Sequence, residues 1–130
     1  MKITKEKFRQ VLGFLVAGVI GFLIEWIIIS HFIANFEASA IIPRFISFPI
    51  AVVVTWYINR RLSFNKKTPP SLLEFIKYFK STVLAQGTNF LSYSLILISI
   101  PSFSALAALI IASFISINVS FCLYLNYVFK

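Results

Sequence analysis

Lysine and arginine are absent from residues 10–43, 45–59 and 81–129, and these long stretches without a basic residue constrain the fold more than any other feature of the chain. A helix needs about 20 mostly apolar residues to cross a bilayer. Four segments meet that length, at approximately 11–34, 41–58, 82–100 and 105–125. In hydrocarbon every backbone N–H and C=O has to be paired within its own segment, so each run predicts a helix and not a strand. Composition agrees: 59% of the 130 residues are hydrophobic and 12% charged, against roughly 45–50% and 25% in a soluble domain. The expectation is an all-α membrane protein with four transmembrane helices in a single domain, 1–130. The second span is the least regular, since Arg44 lies in its first turn and Pro43 and Pro49 interrupt it. Pro43 suits a helix start, whereas Pro49 frees a carbonyl and predicts a kink.

The 12 basic and 4 acidic residues give a net charge of +8, a balance that suits nucleic acid or anionic lipid. Placement decides between them. The cations form short strips beside the apolar runs, which suits the anionic cytoplasmic leaflet at about 1 kcal/mol per Lys or Arg near the surface; membrane lipids, and no nucleic acid, are the expected partners. In a four-span topology Lys2, Lys5, Lys7, Arg9, Arg60, Arg61, Lys66, Lys67, Lys77, Lys80 and Lys130 fall on one side and Arg44 alone on the other. Positive residues gather on the cytoplasmic side. Both termini and the central loop are therefore placed in the cytoplasm, in a multi-pass protein of the cytoplasmic (inner) membrane with short outer loops at 35–40 and 101–104. Trp56 and Tyr57 serve as belt residues at that inner interface. A cleavable signal peptide ending at Ala38-Ser39-Ala40 is the competing reading of the first run. That run is about twice the usual 7–15 residues of a signal h-region and it contains Glu25, so a retained span is expected.

The central loop carries a capping-box spacing, Ser71 with Glu74 three residues on. Leu72, Leu73, Phe75, Ile76 and Phe79 then alternate with a polar stripe of Glu74, Lys77 and Lys80. This predicts a short amphipathic interfacial helix before the third span, with Lys77 and Lys80 either snorkelling as anchors or binding phosphate. The spans pair as hairpin, basic loop, hairpin. A shift of 65 residues lays Thr55-Trp56 over Ser120-Phe121 and Phe64 over Phe129, so the hairpins read as a parallel repeat about an axis along the membrane normal.

Glu25 is the most interpretable polar residue, about 14 residues and hence roughly 20 Å into the first span. A carboxylate at that depth belongs inside the bundle or in a wet cavity. Gly13, Ala17 and Gly21 form a small-residue ridge on the same face, where another helix can approach closely. Arg44, at the outer end of the next helix, is its natural partner, and the spacing fits an architectural ion pair as well as a carboxylate lining a substrate path. His31 reads as interfacial. Gln86, Thr88 and Asn89 in the third span and Asn118 in the fourth can be explained by interhelical hydrogen bonds of about 1 kcal/mol each. Ala108, Ala112, Ser116 and Ser120 form a second close-packing ridge. Together Glu25, Gln86, Asn89 and Asn118 could line a polar groove for an amphiphilic cargo. No paired carboxylates, His or Cys metal cluster, glycine-rich phosphate loop or activated nucleophile is visible. No catalytic residue, metal or cofactor is expected, and the chain does not read as an enzyme. The single Cys122 lies in the last apolar run and carries no disulfide framework.

The stretch "FRQVLGFLVAGVIGFLIEW", the "WYINRRLSF" ending of the second span, "EFIKYFK" before the third and the closing "NYVF" together resemble the GtrA-like proteins over essentially the whole chain. Asn59, Arg60, Arg61 and Phe64, with Phe129 closing the second hairpin, carry the resemblance most specifically. One departure is that Asn126 is followed by Tyr127 and not by an arginine, so a cation does not end both hairpins. The resemblance implies a role in cell-surface polysaccharide or teichoic-acid glycosylation: translocation of a polyprenyl-phosphate-linked sugar made by a partner membrane glycosyltransferase on the cytoplasmic face. On that reading Arg60 and Arg61, with Lys77 and Lys80, would take the phosphate, for which arginine is well shaped. Asn59, Glu25, Gln86, Asn89 and Asn118 would offer hydrogen bonds to the sugar. Two rivals stand beside it: a small proton-coupled multidrug exporter using Glu25, and a non-transporting anchor subunit for a glycosyltransferase. Four helices make a small bundle, which leaves room for a homo-oligomer.

Overall fold

The computed structural model describes residues 3–36 and 41–130, the side chain of Ile41 excepted. Among these residues the chain is helical without strands. Helix α1 spans Lys5–Phe36 and α2 spans Ile41–Ile58, continuing into a π-helical turn at Asn59–Ser63; α3 spans Leu72–Ser99; α4 spans Ala105–Leu123 and runs into a second π-helical turn at Tyr124–Val128. The all-α membrane architecture expected from the apolar runs is the one found. Helix α1 continues through Asn35 and Phe36, beyond the expected start of the outer loop. Ala38-Ser39-Ala40 and Lys2 lie outside the described residues.

Side-chain oxygens start three of the helices. Thr4 accepts from the Lys7 N–H at 3.3 Å, Ser71 from the Glu74 N–H at 3.2 Å and Ser104 from the Ala107 N–H at 3.4 Å, each satisfying a donor that the first turn leaves unpaired. The Ser71 cap is the one the capping-box spacing predicted. The helix that Ser71 starts differs from expectation, because the interfacial segment and the third span are one continuous element. No proline occurs between Ser71 and Ser99, and the Ser81 hydroxyl bonds back to the Lys77 carbonyl at 2.8 Å, so nothing breaks the helix where a boundary was expected. Its 28 residues extend about 42 Å at 1.5 Å per residue, against about 30 Å of hydrocarbon. The excess length is enough for the turns bearing Glu74, Lys77 and Lys80 to lie beyond the apolar core. Helix α2 likewise passes through Pro49 without ending.

Among the described residues three segments are long and apolar enough to cross a membrane: α1, α2 with its π-turn, and α4 with its π-turn. Helix α3, which holds the expected span 82–100, is diluted by Gln86, Thr88, Asn89 and its serines and falls short of that apolar content. Burial follows an inside-out pattern. Gly13, Ala17 and Gly21 of α1 and Ala108, Ala112 and Ser116 of α4 are buried, while Phe22 is 67% exposed, Phe45 78%, Ile98 76% and Phe114 70%. Small residues let helix backbones meet, and large apolar ones face outward, as lipid surroundings permit.

The chain divides into two compact units, Met1–Pro69 and Pro70–Lys130. In the first, α1 packs on α2 and its π-turn; in the second, α3 packs on α4 and its π-turn. The expected glycine ridge sets the first packing. A Cβ added at Gly13 would come within 2.8 Å of the Ser63 backbone, and one at Gly21 within 2.7 Å of the Thr55 methyl. In both contacts the residue numbers add up to 76, which fixes the antiparallel register of the hairpin. Gly18 has open space around it and lies off the packing face.

Candidate functional site

The inner end of the first hairpin gathers the polar residues of "NRRLS". The π-helical turn there is closed by the Phe64 N–H bonding to the Asn59 carbonyl at 2.9 Å. Asn65 comes next at φ 49°, in the left-handed region that asparagine tolerates better than most residues, and the Lys66 N–H returns to the Arg60 carbonyl at 2.9 Å. Widening the helix by one residue per turn redistributes its side chains, and the two adjacent arginines end in opposite environments.

Arg60 points inward and is fully buried. Its guanidinium donates to the Lys66 carbonyl at 3.3 Å, to the Thr68 hydroxyl at 3.0 Å and to the Pro69 carbonyl at 3.0 Å, so it ties the connecting loop 66–69 to the end of α2. Asn59 and Ser63 are buried beside it, and the Ser63 hydroxyl donates to the Gln10 carbonyl of α1, where Gly13 gives the space. Arg61 is exposed, with its guanidinium carbon 5.6 Å from the centroid of the Tyr57 ring, a geometry in which ring and cation attract. The sequence assigned both arginines to one phosphate; the structure gives Arg60 a loop to hold and leaves Arg61 at the surface.

Of the other expected phosphate ligands, Lys80 is exposed and Lys77 half-buried, its ammonium 5.3 Å from the centroid of the Tyr127 ring. Both lie in the unit formed by α3 and α4. Of the expected groove residues, Gln86, Asn89 and Asn118 lie in that unit, each with its own surroundings. Gln86 is exposed, Thr88 bonds to the Leu84 carbonyl of its own helix at 2.9 Å and Asn118 to the Phe114 carbonyl of its own at 2.7 Å. Of these four residues only Asn89 bridges helices, donating to the Ser113 hydroxyl at 3.3 Å. The groove that does run along α3 is mainly apolar, lined by Val83, Leu84, Gly87, Leu91 and Leu95 together with Thr88 and Ser92.

Glu25 keeps the place its spacing predicted, four residues beyond Gly21 on the packing face, and it is half-buried. The expected ion pair with Arg44 is not formed: Arg44 is exposed, and the buried Glu25 Oε1 has no hydrogen-bond partner. The register explains this. Glu25 is level with Ala51, while Arg44 is level with Phe32, about 10 Å farther along the axis. The Ser47 hydroxyl of α2 is also buried without a partner. An unpaired buried polar group costs about 1–3 kcal/mol, so Glu25 and Ser47 each call for an explanation.

Sequence reasoning missed Ser47, Ser63 and Thr68, none of which a composition or motif marks, and the cluster that closes the second hairpin. There Tyr78 stacks on Tyr124 with centroids 4.4 Å apart, Phe129 lies 6.1 Å from Tyr78, and the Tyr124 and Thr82 hydroxyls are 2.7 Å apart. The 65-residue shift carried the available signal, since it places Tyr124 where the first hairpin has Asn59. Among known families, the model described as "GtrA/DPMS, transmembrane domain" matches residues 13–129. No curated protein and no solved structure matches the chain.

Proposed function

The chain belongs to the GtrA/DPMS transmembrane family, multi-pass membrane proteins of polyprenyl-phosphate-sugar processes and generally not enzymes, and we propose that it translocates a polyprenyl-phosphate-linked sugar across the cytoplasmic membrane. The lipid is made on the cytoplasmic face by a partner membrane glycosyltransferase and used outside in surface glycosylation. Both termini and the connecting loop are cytoplasmic. Four crossings follow from the charge distribution and from the repeat, in which α3 takes the place that α1 has in the first hairpin.

The observation that carries this reading is the division of labour at the first π-turn. Moving the substrate requires an anion and several hydroxyls to pass about 30 Å of hydrocarbon while the polyprenyl tail stays in lipid. The entry step needs a cation at the inner interface that can reach a phosphate. Arg61 is exposed beside Tyr57, and Arg60 holds the adjoining loop in place. Lys80 supplies a further exposed cation near the start of α3.

Purified protein in liposomes tests it. The wild type moves a labelled polyprenyl-phosphate glucose from one leaflet to the other, and Arg61→Ala slows that movement about tenfold or more, the equivalent of losing one hydrogen bond to a charged group. A wild type that moves no lipid, and that only retains a glycosyltransferase at the bilayer, sinks the translocation reading in favour of an anchor subunit.

A further inference from the structure

Two buried, unpartnered oxygens lie within one helical turn of each other inside the first hairpin. Glu25 Oε1 projects from the ridge that α1 turns to α2, and Ser47 Oγ belongs to the buried stripe Pro43, Ser47, Ala51 of α2. By the register set at Gly13 and Gly21, Glu25 is level with Ala51, and Ser47 is one turn away, about 6 Å along the axis. Ser47 is 0% exposed, so no competing water or lipid contact at the surface explains its hydroxyl. The second hairpin shows that the helix pairing does not require either group. The 65-residue shift takes Glu25 to Phe90 and Ser47 to Ala112, and Ala112 is as fully buried as Ser47.

We propose that Glu25 and Ser47 form a hydrogen-bonding station for the hydroxyls of the sugar headgroup; this rests on the reading of the protein as a carrier of polyprenyl-phosphate-linked sugar. The chemistry selects that ligand. A carboxylate accepts from sugar hydroxyls and a serine hydroxyl both donates and accepts, whereas a phosphate is repelled by the carboxylate. Arg61 is level with Leu15, ten residues or about 15 Å along the axis from Glu25. A headgroup therefore meets the two places in succession: phosphate at Arg61 first, sugar at Glu25 and Ser47 afterwards.

The test compares two probes, polyprenyl-phosphate glucose and the same polyprenyl phosphate without sugar, for binding to the purified full chain and for movement in liposomes. The wild type binds the glucose-bearing lipid more tightly. Glu25→Gln and Ser47→Ala each lose about tenfold of that preference and leave the affinity for the sugarless lipid unchanged. Ser47→Ala installs the residue the second hairpin already uses, so it decides the matter if Glu25→Gln does not fold. Equal wild-type affinity for the two lipids, or variants that keep the wild-type ratio, overturns the station. A wild type that prefers the glucose-bearing lipid yet moves neither probe overturns translocation and leaves the station standing.

Discussion

The two hairpins share a backbone and differ in what fills it. A shift of 65 residues superposes the π-turns Asn59–Ser63 and Tyr124–Val128, their closing bonds from Phe64 to Asn59 and from Phe129 to Tyr124, both 2.9 Å, and the buried triplets Pro43, Ser47, Ala51 and Ala108, Ala112, Ser116. The register is shared as well. Thr82 meets Tyr124 across the second hairpin, and the same shift takes that pair back to Ala17 and Asn59, whose numbers add up to 76 like those of the glycine contacts. Inside this common frame the first hairpin is tight and polar, closed by Gly13, Ser63, Asn59 and Arg60. The second has Tyr78, Val128, Tyr124 and Leu125 at those positions and is closed by stacked rings. A wide last turn is thus a property of the backbone that two unrelated interiors can satisfy. π-turns often mark functional sites; here only one of the two presents an arginine at its surface, so the turn shape alone does not make the site.

The largest expected effect breaks the polar closure. Arg60→Ala removes donors to two carbonyls and a hydroxyl and empties a fully buried position, and hydrogen bonds to charged groups are worth about 1.5–3 kcal/mol each. The variant should lose about 3 kcal/mol of stability or more in detergent unfolding, and protease should cut loop 66–69 faster. Leu125→Ala, the same position in the second hairpin, should have a much smaller effect, because Leu125 is 38% exposed. Gly13→Ala ranks second. Its new methyl would sit 2.8 Å from backbone atoms of Ser63, which cannot rotate away, so overpacking of about 1–3 kcal/mol results. An unchanged melting temperature for Gly13→Ala would mean the close approach at Ser63 does not hold the first hairpin together.

The residues that spell out the fold in the sequence are those whose effect is one-dimensional. The apolar runs, the ridge of Gly13, Ala17 and Gly21, and the Ser71 cap act through spacing along a single helix; the runs lie within helices, the ridge is buried and the cap forms. The merger of the interfacial helix with α3 was hidden because an amphipathic segment and a span join seamlessly when no residue between them breaks the helix. The site was legible only as a list of residue types. Arg60 and Arg61 are adjacent and chemically identical in the sequence; neighbours on a helix point about 100° apart, so one faces inward and one outward, and only the register of the hairpin decides which. The pairing of Glu25 with Arg44 assumed that helices joined by a short loop align charged residues near it, whereas two glycine contacts fix a register that keeps them about 10 Å apart along the axis. Ser47 is one serine among many until burial and the alanine at its repeat partner single it out.

The smallest effects separate packing from bonding in the two interiors. Tyr124→Phe keeps the ring stacked on Tyr78 and removes only the hydroxyl that meets Thr82 at 2.7 Å. Interhelical hydrogen bonds in membranes average about 0.6 kcal/mol and rarely exceed about 1.7, so the loss in detergent unfolding should be about 1 kcal/mol, well below that of Arg60→Ala. If Tyr124→Phe costs as much as Arg60→Ala, the second hairpin is held by its hydroxyl pair and the contrast between an aromatic and a polar closure collapses. Gly18→Ala sharpens the same contrast from the other side. It is one residue from Ala17, but nothing lies within 4 Å of its added Cβ, so the change should be neutral or stabilising by up to about 1 kcal/mol through helix propensity. A destabilised Gly18→Ala would show that a face of α1 left open by the first hairpin is packed in the membrane by something else.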